Sequence, residues 1–200
     1  MSADGSATSP GATPGERRGH ARRRQILDLA AQIAEDEGWD AVTTRRLAAG
    51  IDYSQPVIYQ HFSGRGDVIR AVTLEGFVEL GRLVRRRTSS GDGQAAPVAA
   101  ACSAYLDFAR NRPRLYAAMF SEPTSLVFAD EETPTELREA FNALSEAINQ
   151  QVPDRDPVPA AELLWACCHG LATLEASQRI PAEHLAGHLD SIVAMITRPV

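Results

Sequence analysis

The sequence predicts an all-α protein, because of its apolar periodicity and the residues that interrupt it. Apolar residues recur three and four positions apart along most of the 200 residues, as they do on the buried face of a helix. Glycine, proline and short polar runs separate these segments at spacings that suit helices. No segment shows the alternation of apolar and polar residues that marks a half-buried strand. A hydrophobic fraction of 44% is enough for a real core.

The N-terminal region is predicted to contain a tail and a first helix. Residues 1–15 are mostly glycine, serine, alanine, proline and threonine, so they bury too little apolar surface to offset the entropy of ordering. We therefore predict a disordered tail that extends to residue 18. Residues 26–37 follow a helical period, and Gly38 is expected to end this helix at positive φ. Trp39 and Val42 are expected in the core.

Residues 42–62 predict two short helices joined by a tight turn, which is a helix-turn-helix. Thr43 or Thr44 is expected to begin the first helix, because a hydroxyl there can accept from the unbonded amide groups of the first turn. In the turn, Gly50 or Asp52 is the expected residue at positive φ, since glycine meets no steric cost there and aspartate tolerates it.

The second helix of this motif is predicted to follow Ser54 as its cap. Pro56 fits within the first turn, where a missing amide hydrogen costs little. The predicted inward positions are Val57, Ile58 and Phe62, and the predicted outward positions are Gln55, Tyr59, Gln60 and His61. An outward face with this mixture of polar and aromatic groups is unusual for a surface that meets only solvent.

At these residues the chain resembles the TetR family of bacterial transcriptional repressors. TTRRLA, then SQPVIYQHF and then Arg65 stand in the family's order, and the resemblance covers residues 22–74. The chain departs from the family in the turn, where Asp52 and Tyr53 replace the usual glycine and small apolar residue. The resemblance implies an N-terminal three-helix DNA-binding domain with a helix-turn-helix, and a C-terminal helical domain for ligand binding and dimerisation.

The resemblance also implies which residues contact double-stranded DNA. Gln55, Pro56 and Val57 would enter the major groove, with Thr44 and Arg45 reaching in from the preceding helix. Arginine can bind guanine with two hydrogen bonds, glutamine can bind adenine, and apolar groups can meet the thymine methyl. The complete predicted DNA-binding set is Thr43, Thr44, Arg45, Ser54, Gln55, Pro56, Val57, Tyr59, Gln60, His61 and Arg65.

Within this set, the resemblance assigns Tyr59, His61 and Arg65 to the phosphate backbone, where contacts orient a protein without reading the sequence. Each residue alone has a simpler explanation. A single arginine or glutamine at a helix start is more often only solvated, and His61 could instead brace the end of the helix. The prediction therefore depends on the ordered set.

Charge is divided unevenly along the chain, although the net charge is −6. Residues 1–90 contain 13 arginines and 11 acidic residues, whereas residues 91–200 contain 7 and 15. Local cations control counterion release, so the net negative charge does not argue against DNA binding. The run ERRGHARRR at residues 16–24 could follow phosphates or enter a minor groove, and a solvated run explains Arg17 and Arg18 equally well.

A longer helix is predicted at residues 63–87, connecting the DNA-binding motif to the rest of the chain. TSSGDGQ at residues 88–94 predicts a flexible break after it. We divide the chain into a tail at 1–18, a DNA-binding domain at 19–66 and a regulatory and dimerisation domain at 67–200.

The remainder of the chain is predicted to be helical as well. The predicted helices are 97–110, 113–120, 134–149, 157–179 and 181–196, with a loop at 121–132. Thr133 and Glu136 predict a capping box, with Pro134 at the first helical position. The last two helices are expected to pair with their copies in a second subunit as a four-helix bundle, or else to complete a monomer core.

A cavity for a small apolar effector is expected among the aromatic residues of this part. Trp165, His169 and Gly170 resemble the Trp-His-Gly signature of one subgroup of TetR-type C-terminal domains, although His169 could be a satisfied core histidine. The predicted ligand contacts are Tyr105, Phe108, Tyr116, Met119, Phe120, Trp165 and His169. Core packing alone would also explain each of them.

The sequence lacks the patterns of an enzyme. It contains no phosphate-binding glycine loop, no nucleophile elbow and no His-Glu helix motif with a third ligand. His184 and His188 are four apart without a third donor nearby, so we predict no metal and no cofactor. Three cysteines without a signal peptide predict reduced thiols in a cytoplasmic protein, and no apolar run reaches the roughly 20 residues of a membrane span.

We therefore expect a homodimeric repressor that binds a palindromic operator and is released by a small apolar effector. Three alternatives remain. They are a ligand-independent DNA-binding activator, an architectural DNA-binding protein, and a small-molecule binding protein whose DNA-binding domain is vestigial.

Overall fold

The structure is a computed structural model that describes residues 13–89, 95–120 and 132–198. Most of the predicted tail, break and loop lies outside these ranges. Within them the chain contains helices and no strand, which confirms the all-α prediction. The helices are α1 (Pro14–Glu37), α2 (Thr44–Gly50), α3 (Gln55–Tyr59), α4 (Arg65–Ser89), α5 (Pro97–Asn111), α6 (Pro113–Met119), α7 (Thr135–Gln151), α8 (Pro157–Ala176) and α9 (Leu185–Thr197). None of these described helices has the length and apolarity needed to cross a membrane.

The first helix begins earlier than the sequence analysis predicted, and residues 14–18 belong to it. Thr13 and Glu16 form a capping box: the Thr13 amide donates to Glu16 Oε2 at 2.7 Å, and the Glu16 amide donates to Thr13 Oγ1 at 3.3 Å. Pro14 occupies the first turn, where its missing amide hydrogen costs little. The basic run therefore lies on a helix.

The chain divides into two compact units, an N-terminal unit (Met1–Ile69) and a C-terminal unit (Arg70–Val200). The core of the N-terminal unit is formed by Ile26, Leu27, Ala30, Ile33, Ala34, Val42, Leu47, Ala48, Ile51, Ile58, Phe62 and Val68. Burying one such aliphatic side chain contributes roughly 1.5–3 kcal/mol. Gly50 lies where α2 meets α1, since a Cβ there would lie 2.6 Å from Leu29 Cδ2. This glycine permits a close approach.

In the C-terminal unit, α5, α7 and α8 pack against one another, and α9 packs on α5 and α8. Gly81 of α4 packs closely on α7, because a Cβ at Gly81 would lie 3.1 Å from Ala140 Cα. Arg85 ties the same two helices together with hydrogen bonds to Glu139 and Glu146, each with a bond of 2.9 Å. These contacts fix one face of α7.

Two predicted helix starts in the C-terminal unit are wrong. The capping box at Thr133 does not form: Pro134 is the N-cap residue, with an extended ψ of 143°, and α7 begins at Thr135 without a side-chain cap. The last helix begins at Leu185, after a 3-10 turn at Ala182–His184, and not at Pro181.

The three cysteines are all free thiols of the C-terminal unit. Cys102 of α5 and Cys168 of α8 are completely buried, whereas Cys167 is half-buried. A hydrogen bond from Cys102 and burial raise the pKa of Cys168. Burial raises the pKa of Cys167. The same Cys102–Cys168 hydrogen bond lowers the pKa of Cys102, but this thiol is completely buried, so none of the three combines a lowered pKa with the access that a reactive cysteine needs.

Candidate DNA-binding surface and ligand cavity

The helix-turn-helix forms with the geometry that the sequence predicted. Thr43 caps α2, because its Oγ1 accepts a hydrogen bond from the Arg46 amide at 3.2 Å. The turn residue at positive φ is Asp52, with φ of 58°, and Gly50 belongs to α2. Ser54 is the N-cap residue of α3, although its side chain makes no capping hydrogen bond. The turn can therefore be made without the glycine that is usual in the TetR family.

Helix α3 buries one side and leaves the other open to solvent. Ile58 is completely buried and Val57 is half-buried. Tyr59 is 56% exposed, and Gln55 and Pro56 are exposed as well. Gln60, directly after the helix, is also exposed. The predicted inward and outward faces are therefore the observed ones, except that His61 is half-buried.

Two predicted contact residues are joined by a hydrogen bond across the motif. Gln55 Nε2 donates to Thr44 Oγ1 at 3.3 Å. The bond uses one of the two hydrogens on this amide nitrogen and leaves the amide oxygen as an acceptor. Gln55 can therefore still offer one donor and one acceptor to an adenine edge, while Thr44 limits its rotation.

Arg45 and Arg46 are neighbours on α2 with different surroundings. Arg46 donates to the Glu37 carboxylate of α1 through its two terminal nitrogens, Nη1 and Nη2, and this interaction lowers the pKa of Glu37. Arg45 is exposed, and within the described ranges no hydrogen bond or ion pair engages it. Of these two arginines, Arg45 is the one available to a ligand.

Arg65 supports the segment before α2. Its Nε donates to the Val42 carbonyl and its Nη2 donates to the Trp39 carbonyl, both at 2.9 Å. Asp40 adds a weaker contact of 3.5 Å. Sequence reasoning assigned Arg65 to phosphate, but two of its nitrogens hold backbone carbonyls of its own domain, so a phosphate would have to share this guanidinium.

His61 lies two residues after the end of α3 and is poorly placed to donate to DNA. Its Nε2 is shielded from solvent and has no hydrogen-bond partner in the described part of the chain. Burial, together with the charges of Arg22 and Arg23, lowers the pKa of His61. The ring is therefore neutral at pH 7, which agrees better with the alternative of a brace than with a phosphate contact.

The structure reveals contacts from α1 that sequence reasoning missed. The Arg22 Cζ atom lies 4.3 Å from the centroid of the Tyr53 ring, and its Nη2 donates to the Tyr53 hydroxyl at 3.0 Å. Arg23 Cζ lies 4.9 Å from the Phe62 ring centroid. Tyr53 in the turn was the available signal, because an aromatic ring there offers a face to a cation.

The basic run at residues 16–24 lies on α1, and this argues against the alternative that it enters a minor groove. An α-helix with side chains is about 10–12 Å wide. The minor groove of B-form DNA is about 6 Å wide. The basic run therefore does not fit into that groove as an extended arm would. A path along the phosphates stays open to it.

The C-terminal unit contains a cavity of about 800 Å³. Its walls come from α4, α5 and α7, from Phe120 and Thr133, and from α8. The lining residues are Phe77, Leu80, Val84, Tyr105, Phe120, Thr133, Leu137, Arg138, Glu139, Ala140, Phe141, Asn142, Leu144, Glu162 and Trp165. The apolar and aromatic majority suits an apolar ligand of drug-like size.

Three of the seven predicted ligand contacts lie at this cavity. Tyr105, Phe120 and Trp165 line the cavity. The other predicted residues, Phe108, Tyr116, Met119 and His169, are not among its lining residues. Tyr116 packs against Tyr105, and His169 packs against Phe120. Sequence reasoning missed the α7 side, where Leu137, Phe141 and Leu144 line the cavity, because no sequence signal distinguishes an apolar helix face that lines a cavity from one that packs on a neighbouring helix.

A chain of hydrogen bonds joins the cavity wall to the residues behind it. Trp165 Nε1 donates to the Tyr105 hydroxyl at 3.2 Å. The Tyr105 and Tyr116 hydroxyls are 3.1 Å apart, and the Tyr116 hydroxyl lies 2.7 Å from His169 Nδ1. An indole N–H can only donate, so every group is satisfied when Tyr105 donates to Tyr116 and Tyr116 donates to a neutral His169. Trp165 and His169, the first two residues named in the Trp-His-Gly signature, are thus the two ends of this hydrogen-bond chain.

Burial keeps the side chains of this hydrogen-bond chain uncharged. Burial raises the pKa of Tyr105 and of Tyr116, and burial lowers the pKa of His169. The inner wall of the cavity therefore offers hydrogen-bonding groups without a charge. The charged lining residues Arg138, Glu139 and Glu162 are exposed. Polarity thus increases from the interior of the cavity to its rim.

The described residues contain no group of three or more histidine, cysteine, aspartate or glutamate residues that could hold a metal ion. The rings of His184 and His188 have centroids 6.3 Å apart.

Comparison with known proteins connects both units to one family. Residues 98–198, half of the chain, match the family described as "Tetracyclin repressor-like, C-terminal domain". Residues 26–72 match "Bacterial regulatory proteins, tetR family". The chain belongs to the TetR family of bacterial transcriptional regulators. It is thus a DNA-binding transcriptional regulator, and the family and its relatives are regulators and not enzymes.

Several curated relatives are also helix-turn-helix regulators. The TetR-family chain is 26% identical over 154 residues to the regulator Rv0681 of Mycobacterium tuberculosis, covering 76% of this chain and 69% of the relative. It is 30% identical over 111 residues to the transcriptional activator FasR of Mycolicibacterium smegmatis, covering 53% and 51%. It is 35% identical over 80 residues to the transcriptional repressor Rv1474c of Mycobacterium tuberculosis, covering 38% and 43%.

Solved structures share the fold. A TetR-family regulator from Streptomyces coelicolor superposes with a TM-score of 0.64 at 16% identity, covering 92% of this chain and 99% of that one. SmeT, solved as a complex with triclosan, superposes with a TM-score of 0.53 at 20% identity, covering 88% and 91%. At these identities the likeness concerns the fold alone.

Proposed function

We propose that this TetR-family regulator is a cytoplasmic homodimeric repressor that binds a palindromic operator and is released when a small apolar effector enters the cavity. The observation that carries the proposal is the distribution of exposed apolar side chains. In the described ranges the exposed large apolar residues are Tyr53, Tyr59, Val158, Leu163 and Met195. Tyr53 and Tyr59 belong to the helix-turn-helix, and Val158, Leu163 and Met195 belong to α8 and α9. Large apolar groups left exposed on the same elements are what interaction surfaces require.

The DNA contacts are proposed to come from α2 and α3. Gln55 and Arg45 read base edges, Pro56 and Val57 meet thymine methyl groups, and Tyr59 contacts phosphate. The exposed face of α3 supports this assignment, and so does the exposed Arg45 guanidinium, which forms no hydrogen bond or ion pair within the described residues. Thr43 caps α2, Thr44 accepts a hydrogen bond from Gln55, and Arg65 holds the segment before α2. The remaining members of the proposed surface are these three residues with Ser54, Gln60 and His61.

The dimer is proposed to form through α8 and α9. Val158, Leu163 and Met195 lie on these two helices and are between 40% and 49% exposed in the single chain. A helix pair that leaves large apolar groups in water is stabilised when a second copy covers them, and twofold symmetry makes the same patch serve both subunits. The symmetry of the dimer would be matched by a palindromic operator.

The effector is proposed to occupy the cavity. Its apolar lining favours an apolar molecule, and the Tyr105 hydroxyl, which accepts from Trp165, keeps one further lone pair as an acceptor at the inner wall. Release requires the effector to bind more tightly to a subunit arrangement whose recognition helices no longer match two major grooves about 34 Å apart. An effector with equal affinity for both arrangements would release nothing.

The test is a selection experiment. Wild-type protein is used to select duplexes from a random pool, and binding to the selected duplex is then measured by fluorescence anisotropy at two salt concentrations. The proposal expects a palindrome, a steep salt dependence, and a stoichiometry of two chains per duplex. Binding that ignores sequence would favour an architectural protein. The absence of any duplex binding would favour a ligand-binding protein with a vestigial DNA-binding domain.

The effector and the sign of regulation need a second measurement. Small molecules that co-purify with the protein are identified by mass spectrometry and are added back to the protein–duplex complex. Dissociation of the complex supports a repressor that is released by its ligand. A complex that forms normally and is unchanged by them would favour the second candidate, a ligand-independent activator, and the similarity to the activator FasR gives this candidate its support.

A further inference from the structure

A cluster of cations lies on α1, outside the helix-turn-helix itself. Gly19, Arg22 and Arg23 are spaced three and four residues apart, so they share one face of α1. This face packs on His61: a Cβ on Gly19 would lie 4.0 Å from His61 Cε1, and the charges of Arg22 and Arg23 act on the His61 ring. The cluster therefore adjoins the end of the recognition helix.

Both arginines are held by aromatic rings. Arg22 lies over Tyr53 at 4.3 Å and Arg23 lies over Phe62 at 4.9 Å, measured from Cζ to the ring centroid. A guanidinium that stacks on a ring keeps its in-plane N–H donors available, because the ring occupies the face of the group and not its edge. Among the described residues, only one of these donors, Nη2 of Arg22, is directed at a protein acceptor, the Tyr53 hydroxyl.

The arginines lack a compensating negative charge. In the part of the chain that the structure describes, neither Arg22 nor Arg23 forms an ion pair with a carboxylate. The adjacent Arg24 pairs with Asp28 at 3.0 Å. Two oriented guanidinium groups without an acid between them favour an anion from outside the protein. Planar forks of this kind match the oxygens of a phosphate.

We propose that Arg22 and Arg23 form a site for one backbone phosphate of the DNA, on the strand that flanks the bases contacted by α3. This site rests on the proposed DNA-binding function and extends it beyond the helix-turn-helix. Tyr53 and Phe62 are positioning residues that orient the two guanidinium groups. The contact is to the backbone, so it adds affinity at all sequences and contributes no base preference.

The first test measures the salt dependence of binding. The probe is the duplex selected by the wild-type protein from a random pool, and the variants are Arg22→Gln and Arg23→Gln. The two arginines share one phosphate in each subunit, so complete loss of this contact in a dimer reduces the slope of log K against log salt by about 1.8, that is about 0.9 per phosphate, and each single variant should reduce it by part of this amount. For complete loss, a fourfold rise in salt weakens the variant about 12-fold less than it weakens the wild type.

Arg24→Gln is the matched control, because it removes the same charge from the next position of the same helix. Its slope is expected to stay at the wild-type value. Equal slope changes in Arg23→Gln and Arg24→Gln would overturn the proposal, since they would show that only net charge matters. Far-UV circular dichroism of each variant establishes that α1 is still folded, and Tyr53→Phe, which keeps the ring, should retain most of the wild-type affinity.

The second test locates the phosphate. Each phosphate flanking the selected site is replaced in turn by an uncharged methylphosphonate, and every duplex is measured with wild type and with Arg23→Gln. At one position the substitution should weaken wild-type binding severalfold and should have little further effect on Arg23→Gln. Independent effects at every position would refute the site.

The outcomes separate the site from the function on which it rests. A wild-type protein that selects a palindrome, together with variants that keep its slope, refutes the α1 site and leaves the proposed function intact. A wild-type protein that binds no duplex refutes both.

Discussion

Replacing Tyr105 with phenylalanine is expected to lower the free energy of unfolding of the C-terminal unit by about 2 kcal/mol. The Tyr105 hydroxyl takes part in two hydrogen bonds, one with Trp165 at 3.2 Å and one with Tyr116 at 3.1 Å. A buried hydrogen bond contributes about 1 kcal/mol net. The ring itself remains, so its apolar contribution is retained.

The hydrogen-bond chain from Trp165 to His169 also predicts how two substitutions combine. Tyr116→Phe likewise removes two hydrogen bonds, those with Tyr105 and His169, and should also cost about 2 kcal/mol. The double variant loses three bonds in total, because the Tyr105–Tyr116 bond is shared. It should therefore cost about 3 kcal/mol, and the coupling energy should be about 1 kcal/mol.

The measurement is urea denaturation followed by tryptophan fluorescence. The protein has two tryptophans, and Trp39 lies in the N-terminal unit whereas Trp165 lies in the C-terminal unit. A Trp39→Phe background therefore makes the signal specific to the C-terminal unit. All variants are compared at one protomer concentration, because dimerisation adds to apparent stability. Additive costs, or single costs below about 0.5 kcal/mol, would show that the hydrogen bonds do not form a connected chain.

Three further predictions concern the DNA-binding motif and acid stability. Arg45→Ala should weaken binding by about 1–3 kcal/mol at one base pair of the selected duplex, whereas an equal loss at every sequence in an anisotropy titration would assign Arg45 to phosphate. Asp52→Gly should slightly raise the urea midpoint of unfolding, because φ of 58° costs a residue with a Cβ about 1 kcal/mol. Asp52→Val should lower this midpoint, and equal midpoints for the three proteins would refute strain at the turn. Burial gives His61 and His169 pKa values below the value of about 6.5 in the unfolded chain, so the unfolded state takes up protons first and stability should fall as the pH decreases below about 6.5. Urea titrations at pH 7.5 and 5.5 check this, and His61→Gln and His169→Gln should each reduce the difference.

The same short pattern forms a capping box at one helix start and none at another, and sequence reasoning misjudged both. Thr-Pro-Gly-Glu at residues 13–16 forms a capping box, yet the composition of its surroundings led to the prediction of a disordered tail. Thr-Pro-Thr-Glu at residues 133–136 was predicted as a capping box and forms none. Thr133 is buried and lines the cavity, so tertiary packing takes the side chain that the local pattern assigned to the cap.

The DNA-binding motif was largely predictable because its signals are local. The cap at Thr43, the positive φ at Asp52 and the exposed Gln55 each follow from residue type and spacing within a few positions. The pairing of Arg22 with Tyr53 was not predictable, since it joins residues 31 positions apart. The cavity was predicted only in part for the same reason, because a void is defined by helices that are distant in sequence.

The accessibility of the three thiols makes Cys167 a natural attachment point. Cys102 and Cys168 are sealed in the interior, whereas Cys167 reaches the surface on α8. A maleimide fluorophore added to the native protein should thus react at one position without any engineered cysteine. Since α8 is part of the proposed dimer surface, energy transfer between donor- and acceptor-labelled subunits would report how chains exchange partners in real time.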